Sequence, residues 1–277
     1  MPAELDALER AADRTASPVG EGVAVWRAWG PRDGAPVVLL HGGSGSWAHW
    51  VRTIGPLAAA GRRVIVPDIP GFGDSAAPPD GHDADAMPRW LEPGLGMLVG
   101  DAPVDLVGFS FGGLVAGLWA AEWPRRARRL VIAGTPALDD HPAPRRRMRA
   151  WQGLPEGPER DAVHRHNLLQ LMLAHPASAD ALAVAIQAIN LPRDRLRRRR
   201  LYTTDILGRT IATLGCELCG IYGRLDVLFE HRHAAVERAF AAAPRLRSFE
   251  WIEDAGHWAA YERPAAFDAA LARALGD

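Results

Sequence analysis

The chain has 277 residues, 48% of them hydrophobic and 23% charged, with a formal net charge of −1. That length supports one large α/β domain with a sizeable core, or a core plus a modest insertion. A near-zero net charge gives no electrostatic ground for nucleic acid or an anionic membrane as partner. All 32 basic residues are arginine, which excludes lysine Schiff-base chemistry.

In chain order, the N-terminal stretch MPAELDALERAADR is acidic and amphipathic and lacks the apolar core of a signal peptide. With no run of 18 apolar residues anywhere, the expectation is a cytoplasmic protein without a membrane span. Strands are expected at Val23 to Trp29, Val37 to Leu40, Val64 to Val66, Val104 to Val107, Leu130 to Ala133, Leu218 to Tyr222 and Leu246 to Trp251. The turn Pro31-Arg32-Asp33-Gly34 joins the first two as an antiparallel hairpin. Segments of helical length, such as Trp47 to Ala60 and Gly112 to Glu122, lie between most strands. Continuous apolar strands alternating with helices imply a mainly parallel sheet covered on both faces.

The alternation breaks between Thr135 and Leu214, a stretch rich in Arg, His, Pro and Ala with helical patterns at His166 to Ala174 and Ala179 to Asn190. It is too long for a structureless loop. We read it as a helical lid, residues 136–214, inserted between core segments 1–135 and 215–277 and lying over the sheet edge where open α/β sheets bind ligands. The runs Arg145-Arg146-Arg147 and Arg197 to Arg200 read as solvated faces. Cys216 and Cys219 have no second pair to complete a structural zinc site and read as core thiols. The pairs His164/His166 and His231/His233 are spaced i, i+2, which splays the rings apart on a helix, so they read as surface or lid hydrogen bonders rather than metal ligands.

The chemistry-bearing residues sit at strand ends. Gly108-Phe109-Ser110-Phe111-Gly112 follows an apolar strand and opens a small-residue helix. A strand running straight into a helix leaves room only for glycine at the flanks and exposes the residue at the apex. Alone the pentapeptide is a weak signal, since Gly and Ser are common turn residues. Asp226, in Tyr-Gly-Arg-Leu-Asp, and His257, in Ala-Gly-His-Trp, each follow a later strand, in the order Ser, Asp, His expected of such an architecture. The glycine-rich turn His41-Gly42-Gly43-Ser44-Gly45 follows the Val37 to Leu40 strand and lacks the lysine of a phosphate loop. It suits an oxyanion hole built from the Gly43 and Phe111 N–H groups, with His41 anchoring the loop.

These pieces, LLHGGSGSW, PDIPGFGDS, GFSFGG, YGRLD and AGHW, resemble the α/β-hydrolases and imply that fold, with Asp68 to Ser75 shaping the pocket floor. The stretches around WAHWVRTIGPLAAAGRRVIVPDIPGF, LLQLMLAHP and GHWAAYERP are similar to the meta-cleavage-product hydrolases, which cut carbon–carbon bonds in vinylogous 1,5-diketones. That resemblance implies a substrate pocket at His49, Phe109, Gln187 and Trp258. The chain departs from its pattern: Phe109 and His49 replace asparagines, and Gln187 stands near the position of a carboxylate-holding lid arginine, with Arg193 and Arg195 as the nearest substitutes. We therefore expect a serine hydrolase acting on a small, largely apolar ester or related carbonyl compound. Carbon–carbon cleavage is the alternative, and a ligand-binding receptor on the same fold the alternative of a different class. No metal or organic cofactor is required, the partner is a small-molecule substrate, and a homodimer is compatible with the sequence.

Overall fold

The structure, a computed structural model, describes residues 2–140, 146–196 and 198–276. Eight strands form one sheet in the order β1-β2-β4-β3-β5-β6-β7-β8. They are β1 Asp13–Val19, β2 Gly22–Trp29, β3 Pro36–Leu40, β4 Arg63–Pro67, β5 Val104–Phe109, β6 Ala127–Ala133, β7 Glu217–Gly223 and β8 Leu246–Ile252. Strands β3 to β8 run parallel, while β1 and β2 are antiparallel.

The opening hairpin differs from the one expected. Strand β2 turns back on β1 through Gly20, held at φ +55°, and its other edge pairs with β4 rather than β3. The reason lies in β3, whose Val37 to Leu40 are all fully buried. A strand apolar on both faces belongs inside the sheet, and β3 takes β4 and β5 as parallel neighbours. Strand β1, DRTASPV, carries no apolar alternation and escapes pattern reading; pairing with β2 makes it a strand.

Helices cover both faces. On one, α3 (Pro88–Val99) and α4 (Phe111–Glu122) bury Leu91, Leu95, Leu114, Val115 and Trp119 against Val38, Leu40, Leu106 and Ile132. On the other, α1 (Ala3–Ala11), α2 (Ile54–Ala59), α9 (Ala259–Glu262) and α10 (Pro264–Leu275) pack Leu5, Ile54, Leu57, Phe267 and Leu271 on Val37, Leu39, Val64 and Val107. Side chains of a strand alternate between faces, which is why β3 supplies both cores. The helix expected over 47–60 is split into a 3₁₀ turn, Trp47–Trp50, capped by the Ser46 hydroxyl, and α2. Pro56 has no N–H to donate and is tolerated only in a helix's first turn, so the helix starts at Ile54.

Between β6 and β7, α5 (Pro158–Leu171) and α6 (Ala181–Asn190) pack together over the C-terminal edge of the sheet. Helix α7 (Ile206–Ile211) lies in the stretch read as lid, yet Leu207 and Ile211 are buried in the core beside α4, where a Cβ on Gly117 would come within 2.6 Å of Leu207. Helix α8 (His233–Ala241) completes the set against β8. Among the described residues no helix is long and apolar enough to cross a membrane.

Candidate active site

Ser110 sits between β5 and α4 at φ +51° and ψ −117°, a strained region for a residue with a side chain. The glycines around it are sterically required. A Cβ at Gly108 would lie 2.4 Å from Gly112 O, one at Gly112 2.2 Å from Leu40 O, and one at Gly113 1.9 Å from Thr135 Oγ1. The turn brings α4 hard against the strand ends and points the hydroxyl away from them.

The parallel sheet delivers two further loops to the same edge. Asp226 follows β7 and His257 follows β8; both are almost fully buried. His257 Nδ1 lies 2.7 Å from Asp226 Oδ2, and His257 Nε2 lies 3.0 Å from Ser110 Oγ. The other carboxylate oxygen of Asp226 accepts the Leu228 N–H at 2.9 Å. A carboxylate on Nδ1 holds the ring proton there and leaves the Nε2 lone pair facing the serine hydroxyl, an arrangement able to accept a proton from it. Asp254, a neighbouring carboxylate, is exposed and pairs instead with Arg263 and His175.

Two supports of this chain were not singled out from the sequence. Gly134, at φ +55° after β6, backs the pair so closely that a Cβ would stand 3.3 Å from His257 Nδ1 and 3.5 Å from Asp226 Oδ2. Glu262 is buried and accepts the N–H groups of Gly256 at 2.6 Å, His175 at 2.8 Å and Ala174 at 3.0 Å. It thereby ties the histidine loop to the end of α5. A Gly after an apolar strand and a Glu five residues past a Gly-His pair were the available signals, and neither points to this role without the packing.

Ser110 and His257 open into a cavity of about 620 Å³. Gly43 and Phe111 lie side by side in its wall, next to Ser110, with a Cβ built on Gly43 falling 3.6 Å from the Cβ of Phe111. Phe111 is the first residue of α4, and the first N–H groups of a helix have no intrahelical acceptor. His41 anchors the glycine loop: Nε2 accepts the Ile69 N–H at 2.9 Å, which leaves the proton on Nδ1 to donate to Gly42 O at 2.8 Å. Burial holds this imidazole below its ordinary pKa, consistent with a neutral ring. Asp68 to Ser75 acts from behind. Asp68 pairs with the buried Arg27 at 3.1 Å and accepts the Trp47 N–H at 2.8 Å, while the Phe72 ring wedges between His41 and Phe111.

Of the pocket residues implied by resemblance, Phe109 lines the cavity, its ring centroid 4.9 Å from that of His257. The other three do not line it. Trp258 points into the core, where its Nε1 donates to His49 O at 2.8 Å and its ring stacks on Tyr261. His49 is buried against Phe109 and Trp258 with Nδ1 unpartnered; burial first, then the nearby His41 and His257, hold it well below its ordinary pKa. Gln187 sits on α6, half-buried, because that helix turns Ala183, Val184 and Ile186 inward.

The arginines also differ from expectation. Arg193 is about half exposed and pairs with Asp74, while Arg195 is spent on the carbonyls of Phe72, Gly73 and Ser75. Among the described residues, the guanidinium groups that reach the cavity are those of Arg199 and Arg146, from the two runs read as solvated faces. Each is already partnered, Arg199 by Asp194 at 3.0 Å and Arg146 by Glu230 at 3.0 Å and Val227 O at 3.1 Å. Arg145 and Arg197 lie outside the described residues. The remaining wall is largely apolar, with Leu114, Leu171, Met172 and Leu228, and with Met148 and Tyr202 partly exposed. His164, expected to be a surface or lid hydrogen bonder, is instead buried against the Trp151 ring with neither ring nitrogen bonded. Cys216 and Cys219 are free and buried, and burial raises both thiol pKa values. Among the described residues no cluster of three or more His, Cys, Asp or Glu is arranged to hold a metal ion.

Sheet order, the strained serine turn and the strand-end Asp and His together define an α/β protein of the hydrolase type. The α/β hydrolase fold family matches residues 35–175, and the chain belongs to that family. A 108-residue stretch is 44% identical to 2-hydroxy-6-oxo-2,4-heptadienoate hydrolase of Pseudomonas putida, covering 36% of this chain and only 37% of that enzyme. Among solved structures, a carboxylesterase of Bacillus subtilis superposes with a TM-score of 0.77 at 17% identity, over 98% of this chain and 94% of its own. The 2-hydroxy-6-oxo-6-phenylhexa-2,4-dienoate hydrolase of Rhodococcus sp. strain RHA1 gives 0.73 at 19% identity, over 96% and 99%. At these identities the structural likeness speaks for the fold.

Proposed function

We propose that the protein is a serine hydrolase that transfers an acyl group to water through Ser110, His257 and Asp226. The observation that carries this reading is the hydrogen-bonded chain from Ser110 Oγ through His257 to Asp226, at 3.0 and 2.7 Å, beside a cavity of about 620 Å³. In this mechanism His257 takes the proton of Ser110 as the hydroxyl attacks the substrate carbonyl. Asp226 holds the imidazole in register and stabilises its positive charge. The Gly43 and Phe111 amides receive the oxyanion. His257 then protonates the leaving group and activates the water that releases the acyl enzyme. Every group is supplied by the chain, so neither metal nor organic cofactor has a step to perform.

The substrate we assign is a small, largely apolar ester. The wall formed by Phe111, Leu114, Leu171, Met172 and Leu228 favours an apolar acyl group, and both cavity arginines are already neutralised by carboxylates. A buried substrate anion without a free partner carries a desolvation cost of several kcal/mol. A second reading, carbon–carbon cleavage of a 2-hydroxy-6-oxo-dienoate, is favoured by the 44% identical stretch shared with the heptadienoate hydrolase and by the presence of Arg199 in the cavity. The nucleophile is tested with a fluorophosphonate probe, which labels the wild type and not Ser110→Ala; labelling that survives the substitution refutes the assignment. The substrate is tested by kcat/KM for p-nitrophenyl butyrate against a 2-hydroxy-6-oxo-dienoate on one preparation. Preference for the dienoate selects the second reading.

A further inference from the structure

The loop that carries Gly43 and the segment that closes the cavity are joined by a polar clasp that no step of the hydrolytic reading uses. Ser44 is held at φ +51°, a backbone region that a serine occupies only when its surroundings compel it. Its hydroxyl donates to Asp194 Oδ2 at 2.5 Å. The same oxygen pairs with Arg199 at 3.0 Å, and Asp194 Oδ1 accepts the Leu196 N–H at 3.0 Å. The Arg199 guanidinium lies over the Phe72 and Phe111 rings, 5.1 and 5.5 Å from their centroids, and 3.6 Å from where a Gly43 Cβ would be. The segment itself is anchored, because Leu196 is buried against Gly71 and the Arg195 N–H donates to Gly71 O at 2.9 Å.

An amide that is to receive a developing oxyanion must be in place before charge forms, since reorganising it during the reaction adds to the barrier. A glycine-rich turn has no side chains of its own to fix it. We propose that Asp194 and Arg199 are positioning residues: acting through Ser44, they hold the Gly43 amide where the oxyanion forms. The wall of the cavity and the hole in its floor are thus assembled as one unit. Asp194 is what makes this possible, because it both accepts the Ser44 hydroxyl and keeps Arg199 over the aromatic rings. The inference rests on the Ser110 reading for its chemical consequence, not for the clasp itself.

Asp194→Ala removes the acceptor and the partner of Arg199, while Ser44→Ala removes only the donor and is the milder test should the first variant fold poorly. Hydrogen exchange of the peptide spanning residues 41–48 is expected to quicken in both variants, with exchange over α6 unchanged. Turnover of p-nitrophenyl acetate is expected to fall about tenfold or more in kcat for Asp194→Ala, short of the roughly 10²–10³ lost with an oxyanion donor outright. For Ser44→Ala the fall is smaller, and KM stays within about twofold for both, because a loosened oxyanion amide is felt in the transition state and not in ground-state binding. Unchanged exchange at 41–48 overturns the clasp whatever the turnover, and faster exchange with kcat unaltered in an active enzyme overturns its positioning role. Failure of the wild type to be labelled at Ser110 brings down the nucleophile reading instead, and the exchange measurement then decides the clasp alone.

Discussion

The strand-end site and the cavity wall above it are built on opposite principles. Ser110, Asp226 and His257 hang from β5, β7 and β8 of one parallel sheet, with glycines at 108, 112 and 113 required by contacts under 3 Å and the one at 134 by its φ of +55°. The wall joins distant pieces of the 136–214 stretch to core residues such as Leu114 and Leu228, held by ion pairs such as Asp194–Arg199 and Arg146–Glu230. Backbone sterics make the first arrangement nearly unavoidable once the sheet forms. The second depends on which long side chains find partners, and a single charge can redirect it.

The largest expected effect is on the strand-end side. Ser110→Ala should lower kcat/KM for a p-nitrophenyl ester by about 10⁶-fold, with residual turnover from the oxyanion amides. Asp226→Asn should lower it by about 10⁴, because the imidazole then presents the wrong tautomer to Ser110. Asp254→Asn, at an exposed carboxylate, should change it less than about twofold. A large effect at Asp254 with little at Asp226 would reverse the assignment of the acid.

Next in size is Glu262, which joins the two regions. Glu262→Ala leaves three backbone N–H groups near Gly256 and α5 without their acceptor, at a cost of about 2–4 kcal/mol in urea unfolding. It should also lower kcat through His257. Loss of stability without loss of kcat would make Glu262 a structural anchor alone.

A smaller and reversible effect comes from pH. His41 and His49 are held below their ordinary pKa by burial, so the folded state binds fewer protons than the unfolded chain near pH 6. Stability is therefore full above the unfolded pKa of about 6.5 and declines as pH falls below it, by up to about 1.4 kcal/mol per pH unit for each histidine. Thermal melts from pH 7.5 to 5 should show the decline, and His49→Asn should flatten it. Asp268, pushed up to about 6 by burial, opposes the trend, because its protonation between pH 6 and 4 relieves a buried charge. A melting temperature that rises steadily on acidification would mean that Asp268 outweighs both histidines.

The smallest expected effects fall on surface arginines. Arg193→Ala breaks a half-exposed pair with Asp74 and should shift stability by less than about 1 kcal/mol, with kcat unchanged. Equal losses from Arg193→Ala and Arg199→Ala would remove the distinction between a surface arginine and one built into the cavity.

The amino-acid sequence by itself determined the parallel sheet, the serine turn and the order of Ser110, Asp226 and His257, because these rest on local rules. Apolar runs make buried strands, and glycines are needed where a strand meets a helix without room for Cβ atoms. It did not disclose β1, a polar strand made by its partner, nor the place of β2, because a hairpin is decided by which edge of β3 is already occupied. Only the tertiary structure decided which arginines face the cavity. Arg193, Arg195 and Arg199 are chemically identical in sequence, and what separates them is the partner each meets: Asp74 at the surface, a row of carbonyls in the 72–75 loop, or Asp194 beside two aromatic rings. The same holds for His49 and Trp258, drawn into the core by Phe109 and Tyr261 rather than left to line the cavity. Long-range side-chain pairing carries no periodicity along the chain, so no pattern in the sequence records it.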